Sequence, residues 1–251
     1  MRSAFFQKPF EYQILTVEEE WNQGDTLAGT LKVRNSGPEP TLLKGIRLIL
    51  AYGIRKEVKT GNPEAWTVFD EKLLLQEQKL ESQDEENTDW SFRLPSDCPV
   101  TEKNASLFLL FGGEDALREG GRIDLRISLH PILQSFLQTF TTQFKFLEKY
   151  RKGKGEWTEI KLNPPDSKEF PNLDHLLCLL RIRDEVLEAC FRFKMKSFGR
   201  DAEKVKVVSK KREHEMQMNP SEYLQPGGFP NRSQFRDKIL EALNIAKLKA
   251  L

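Results

Sequence analysis

From Phe10 to Leu129 the apolar residues of this chain fall largely at every second position, in short runs separated by turn sequences, and that period admits few folds. Side chains of an extended strand point alternately to opposite faces, so such a run buries one face and leaves the other in water. Phe10 to Val17 is rich in aromatic and β-branched residues, Gly24-Asp25 marks a turn, and Leu27 to Val33 alternates apolar with polar. Asn35-Ser36-Gly37-Pro38 is a second turn signal. Leu42 to Tyr52 reads as a longer strand with Ile46, Leu48 and Leu50 on one side. Trp66 to Leu75, Trp90 to Leu94 and Ser106 to Phe111 follow, and Ile123, Leu125, Ile127 and Leu129 close the series. The polar, acidic stretch Gln76 to Asn87 is expected to be a solvated loop or strand end. Strands at intervals of roughly ten to twenty residues with turns between them predict an antiparallel sandwich, and the missing βαβ rhythm disfavours a parallel α/β enzyme fold.

After Pro131 the period changes. Ile132, Phe136, Phe140 and Phe144 lie four apart, and Leu133, Leu137 and Leu147 widen that stripe. The spacing predicts an amphipathic helix from Pro131 to Tyr150, closed by Lys152-Gly153-Lys154-Gly155. Trp157 to Leu162 reads as a strand ended by Pro164-Pro165. Leu173 to Phe193 fits a β-hairpin turning at Asp184-Glu185, and also a helix through Leu176, Leu180 and Leu187. The hairpin is preferred because Phe191 and Phe193 alternate with Arg and Lys. Val205 to Val208 is one more strand, Gln225 to Pro230 a loop, and Ser233 to Lys249 a final helix with Phe235, Ile239, Leu243 and Ala246 on one face. No internal repeat is present. The expected organisation is a sandwich over 1–130, a helix and connector over 131–155, and a smaller β-containing region over 156–251 that ends in a helix. In class the chain is expected to be mainly β, an immunoglobulin-type antiparallel β-sandwich with a reduced second β region and two helices.

Composition narrows the function classes. Hydrophobic residues make up 38% of the chain, including 17 Phe, which is enough for a core. Lys+Arg 39 against Asp+Glu 38 leaves a net charge of +1, so no global field steers the chain toward nucleic acid, and no nucleic-acid partner is expected. The three cysteines, Cys98, Cys178 and Cys190, are far apart and form no C-x-x-C pair, which argues against a disulfide framework or a zinc site. The N-terminal segment lacks the apolar core of a signal peptide, and no apolar stretch is long enough to span a bilayer. A soluble, cytoplasmic location is the expectation.

No catalytic constellation is visible: there is no G-x-S-x-G elbow, G-x-G-x-x-G, P-loop or H-E-x-x-H. Gly112-Gly113 and Gly120-Gly121 lack the spacing and Lys of a phosphate loop and read as hairpin-turn glycines. His130, His175 and His214 are mutually remote, although Asp174 adjoins His175. Cys98 sits in a turn-rich loop and would need a basic neighbour in space to be reactive. The expectation is that the chain is not an enzyme, with no cofactor, no metal and no catalytic residue. The one local charge feature is Lys204, Lys206, Lys210, Lys211 and Arg212, a candidate contact for phosphates or anionic lipid heads, with Glu203, Glu213 and Glu215 bracketing it. Lys204, Lys206 and Lys210 on a strand would share one face, which is also how an edge strand is protected against aggregation.

Three blocks in the first half resemble the arrestin-like superfamily, which includes arrestins, arrestin-domain adaptors, the retromer arrestin-like subunit and the bacterial sporulation-control proteins. Trp21-Asn22-Gln23-Gly24-Asp25-Thr26-Leu27-Ala28-Gly29-Thr30-Leu31-Lys32-Val33 is similar to the family's Gly-Asp or Gly-Glu turn followed by a Gly and a Val-rich strand. Leu43 to Gly53 is similar to its long third strand. Trp90-Ser91-Phe92-Arg93-Leu94-Pro95 to Thr101 is similar to its aromatic-x-aromatic-x-Leu-Pro turn, with a Pro and a hydroxyl residue further on. The resemblance covers about residues 10–130 and rests on the order and spacing of the blocks. It implies an arrestin-like sandwich that works as a scaffold or adaptor, holding protein partners through edge strands, end loops or the concave face between domains. The ionic switch of visual-type arrestins does not map residue by residue onto this sequence, and Asn163-Pro164-Pro165-Asp166-Ser167 lacks the Tyr of a Pro-Pro-x-Tyr motif. Two other readings compete with a protein scaffold. A jelly-roll binder of small molecules or carbohydrate requires a cleft formed by residues such as Trp66, Trp90 and Trp157, and a peripheral membrane protein requires the lysine tract to make a weak surface contact. The sequence does not determine the oligomeric state.

Overall fold

The computed structural model describes residues 1–60, 62–201 and 204–247; the side chains at 63, 197–201, 204–209 and 246–247 lie outside that description. The chain divides into two compact units, Met1–Ser128 and Leu129–Leu251.

In the first unit the strands are β1 (Arg2–Gln7), β2 (Phe10–Thr16), β3 (Trp21–Asn22), β4 (Thr26–Asn35) and β5 (Thr41–Ile54). They continue through β6 (Trp66–Leu80), β7 (Glu85–Arg93), β8 (Ala105–Gly112), β9 (Gly121–Asp124) and β10 (Ile127–Ser128), with one-turn helices α1 (Arg55–Val58) and α2 (Ala116–Glu119) in the connections. Two four-stranded antiparallel sheets form, ordered β1-β2-β4-β7 and β6-β5-β8-β9, and β3 pairs with β10 in parallel. Tyr12, Ile14, Leu31 and Val33 of one sheet pack against Leu48, Leu50, Leu107, Leu109 and Phe111 of the other. The sandwich follows from the alternation: each strand contributes its apolar face to one shared interior. The unbroken apolar run of β8 departs from alternation because it is covered twice. Phe108 and Leu110 face away from the sandwich interior and join Ile49, Ala51 and Ala116 in a second small cluster, roofed by Trp66.

The first and third motif blocks meet in space. Asp25 Oδ2 accepts the Asn22 N–H at 2.7 Å, closing the turn at Gly24, and the Leu94 N–H donates to the Asp25 carbonyl at 2.9 Å. Gly29 is required by close approach, since a Cβ there would lie 1.9 Å from the Leu15 carbonyl oxygen and 2.7 Å from the Trp90 ring. The hydroxyl after the Leu-Pro turn is Thr101, which accepts the Ile127 N–H at 2.8 Å and donates to the Leu125 carbonyl at 2.9 Å.

Gln76 to Asn87 consists of strand ends about a turn: β6 runs to Leu80 and β7 starts at Glu85, leaving only 81–84 as the turn, with Gln83 at φ 68. The buried Asn35 side chain holds that turn, donating to the carbonyls of Glu39, Leu80 and Glu81. The run from Ile123 to Leu129 keeps its alternation, all four aliphatic residues being buried, but its pairing switches from β8 to β3 near Leu125.

In the second unit α3 (Pro131–Thr142) precedes β11 (Leu147–Lys154), β12 (Trp157–Asn163), β13 (Leu173–Arg183), β14 (Val186–Asp201) and β15 (Lys204–Met218), followed by α4 (Pro220–Tyr223) and α5 (Arg232–Lys247). The strands make one antiparallel sheet in sequence order. The segment around 173–195 is the hairpin, with Asp184 and Glu185 at positive φ in its turn. The helix expected to reach Tyr150 stops at Thr142. The chain turns at Lys145, φ 58, and re-enters as β11 antiparallel to β12, so the glycine-rich Lys152 to Gly155 lies at a hairpin rather than closing a helix. The four-residue spacing misleads there because Phe146, not Phe144, is the buried residue, set edge-on to Phe140 at 5.8 Å and Phe170 at 5.4 Å. The helices contribute Phe136, Phe140 and Phe235 to a cluster with Phe191 of β14, so α3 and α5 cover one face of the sheet in two layers. Residues 248–249 of the expected final helix lie outside the described residues.

Candidate functional site

The outermost strand of the second sandwich sheet carries the clearest binding geometry. β6 is 15 residues long and pairs with β5 on one side, and among the described residues no strand pairs with its other side. Val68, Phe69 and Leu73 are 47%, 39% and 53% exposed. Asp70 pairs with Leu50 and Val68 with Ala51, which leaves Phe69 as an extra residue; Leu75 pairs with Ile46 and Leu73 with Arg47, which leaves Leu74 as another. Two bulges therefore bracket a regular stretch, Asp70 to Leu73. Within it Asp70 and Lys72 share the face of Leu50 and Leu48, toward the sandwich interior, and Glu71 and Leu73 share the face of Ile49 and Arg47. Arg47 makes an ion pair with Glu71. Lys72 Nζ donates to the Ser91 carbonyl and lies 5.0 Å over the Phe92 ring. Asp70 Oδ1 accepts the Glu71 N–H at 2.8 Å. Bulges and charges are the usual protection of a long edge, but here they flank exposed apolar side chains, and an edge of that kind can accept an added strand.

The lysine tract runs along β15. Lys204 and Lys206 are paired in β15 with Asp201 and Gly199, and their side chains lie outside the described residues. Lys210 and Arg212 fall opposite Met195 and Phe193, on the helix-covered face, where Arg212 donates to the Ile245 carbonyl at 2.6 Å. Lys211 falls opposite Lys194, on the other face. Sequence reading missed the charges that gather there around the bulged Asp174. Its carboxylate lies 3.1 Å from Lys196, 3.6 Å from Lys194 and 3.0 Å from the ring of the adjacent His175. The Lys196 hydrogen bond, reinforced by His175, holds Asp174 below the usual carboxylate range against the opposing effect of partial burial.

Other candidate chemistry is dispersed. Cys98 is buried and its thiol is pushed up to about 12 by burial, with Asp97 adding to the effect; burial likewise raises Cys178 and Cys190. A thiol so held is poorly nucleophilic. Among the described residues no group of His, Cys, Asp and Glu could hold a metal ion, and no helix is long and apolar enough to cross a membrane. Trp90 lies in the sandwich interior, Trp66 roofs the outer cluster, and Trp157 stacks under Arg181 at 4.3 Å in the other unit. A shallow hollow of about 220 Å³ on the outer face of the first sheet is lined by Arg2, Glu11, Gln13, Lys32, Arg34 and Glu85. It has no apolar wall, and Lys32 is already paired with Glu85 at 2.5 Å.

No protein-family model matches this chain, and no curated sequence matches it. Comparison of folds gives an arrestin-like sandwich class. Within that class the chain is similar to Spo0M, a sporulation control protein from Bacillus subtilis, with a TM-score of 0.68 at 12% identity, covering 96% of this chain and 100% of that one. Weaker likenesses reach an alkylpurine DNA glycosylase of Pseudomonas fluorescens (TM-score 0.31, 8% identity, 47% of this chain and 30% of that) and a β-glucosidase of Listeria innocua (0.30, 10%, 47% and 16%). Neither of these carries an argument about fold or function.

Proposed function

We propose that this chain is a non-enzymatic scaffold or adaptor of arrestin-like type that holds another polypeptide along the β6 edge of its N-terminal sandwich. The observation that carries this reading is the exposure of Val68, Phe69 and Leu73 on a long strand that, among the described residues, has one unpaired side. Backbone groups on such a strand supply affinity, and the exposed side chains supply selectivity. The likeness in fold to a protein named for sporulation control supports a regulatory role over a catalytic one. The dispersed tryptophans and the all-polar hollow speak against a small-molecule or carbohydrate binder.

Affinity purification of the tagged protein from its own cells, with mass spectrometry of what co-purifies, tests the proposal. The expected result is a near-stoichiometric protein that Leu73→Lys loses and Lys210→Ala keeps. Partner-free protein, or a partner indifferent to Leu73→Lys, overturns it.

A further inference from the structure

Resting on that reading of the β6 edge, we propose that the strand added there is β6 of a second copy of this chain, in a two-fold antiparallel pair. The argument is one of parity and charge. Residues directly opposite each other in an antiparallel pair share a sheet face. In the regular stretch Asp70 and Lys72 occupy one face and Glu71 and Leu73 the other, so a two-fold axis must pass through a residue, not between two. An axis at Asp70 or at Lys72 sets like charges against each other. An axis at Leu73 sets Lys72 against the bulged Leu74 and Glu71 against Leu75. An axis at Glu71 sets Asp70 against Lys72 of the second copy, twice, and brings the bulged Phe69 beside Leu73, twice; unlike the axis at Leu73, it pairs opposite charges. The two Glu71 side chains then meet at the axis, and each is already paired with Arg47 of its own chain.

The charges are poised for that exchange. Asp70 now satisfies the Glu71 N–H, and Lys72 satisfies the Ser91 carbonyl. In the pair a strand carbonyl of the second copy takes over the Glu71 N–H, which frees the Asp70 carboxylate for the Lys72 ammonium. The exposed apolar residues Phe69 and Leu73 come together in the same step.

Sedimentation of the purified full chain over a concentration series tests this directly, with thermal melts confirming that each variant folds. Wild type is expected to show a monomer–dimer equilibrium in about the micromolar range. Asp70→Lys and Lys72→Asp alone each oppose like charges, and each is expected to weaken the dimer at least about tenfold. Mixing the two variants in equal amounts restores every opposite pair, so a heterodimer of about wild-type affinity is expected. Should either variant fail to fold, Leu73→Lys provides the disruption. The inference is overturned if wild type stays monomeric at about 100 µM, if both charge variants dimerise like wild type, or if mixing restores nothing. Monomeric wild type that still captures a stoichiometric cellular protein through Leu73 sinks the self-pairing alone; monomeric protein that captures nothing sinks the edge reading with it.

Discussion

At the scale of single residues, Glu159 shows how a charge can lie on an open sheet face and still be buried. Its side chain is 4% exposed, with Lys152 at 3.1 Å, Lys154 at 3.0 Å and the Tyr150 hydroxyl at 3.0 Å. Burial alone would raise its pKa, but the hydrogen bonds from Lys154, Lys152 and Tyr150 outweigh burial and hold it below the ordinary value. A carboxyl with a depressed folded pKa contributes stability that is present above its unfolded pKa and lost as pH falls through the folded one. Glu159→Gln is therefore expected to cost about 1–3 kcal/mol near neutral pH, with the gap to wild type closing below about pH 4. Urea titrations at a series of pH values check this, and a gap that widens on acidification contradicts it. Nothing in the local sequence announces this cluster. Lys152 and Lys154 stand two apart, but only the β11–β12 register places both over Glu159.

At the scale of elements, α3 and β14 hold the second unit together through aromatic contacts. Phe136 is fully buried and touches Phe140, Phe191 and Phe235 at centroid distances of 5.9, 6.4 and 5.2 Å. Phe136→Ala should destabilise that unit by about 3–5 kcal/mol, because the surrounding rings cannot all collapse into the space. The unit's melting transition, followed by Trp157 fluorescence in a chain whose other tryptophans are replaced by Phe, reads the effect; an unshifted transition rules it out. The period of α3 was legible from Ile132 to Phe140, where the helix packs on the sheet. Beyond Thr142 the same spacing continued without a helix: Phe146 packs edge-on to Phe140 and Phe170, and Leu147 to Lys154 pairs with β12 instead.

At the scale of the whole molecule, the two units have separate cores. The sandwich interior is composed entirely of residues before Ser128. A fragment of Met1–Ser128 is large enough to bury its own core and is expected to unfold cooperatively by itself. A dispersed amide spectrum and a single sigmoidal transition are the signatures; a collapsed, poorly dispersed spectrum would show that the sandwich depends on the second unit.

The sequence by itself determined that the first half is an antiparallel sandwich, because alternation sets which face of each strand leaves water and the turn residues set where strands end. Gly29 under Trp90 and Asp25 closing the turn at Gly24 are local demands that a linear reading can detect. The hairpin at 173–195 was legible for the same reason. Only the tertiary structure decided which strands of the sandwich are outermost in their sheets, that Asp70 and Lys72 share one face between two bulges, and that Lys210 and Lys211 part company across a sheet. These depend on register and on strand order, which arise from contacts between residues distant in the chain, and a single sequence carries no direct record of either.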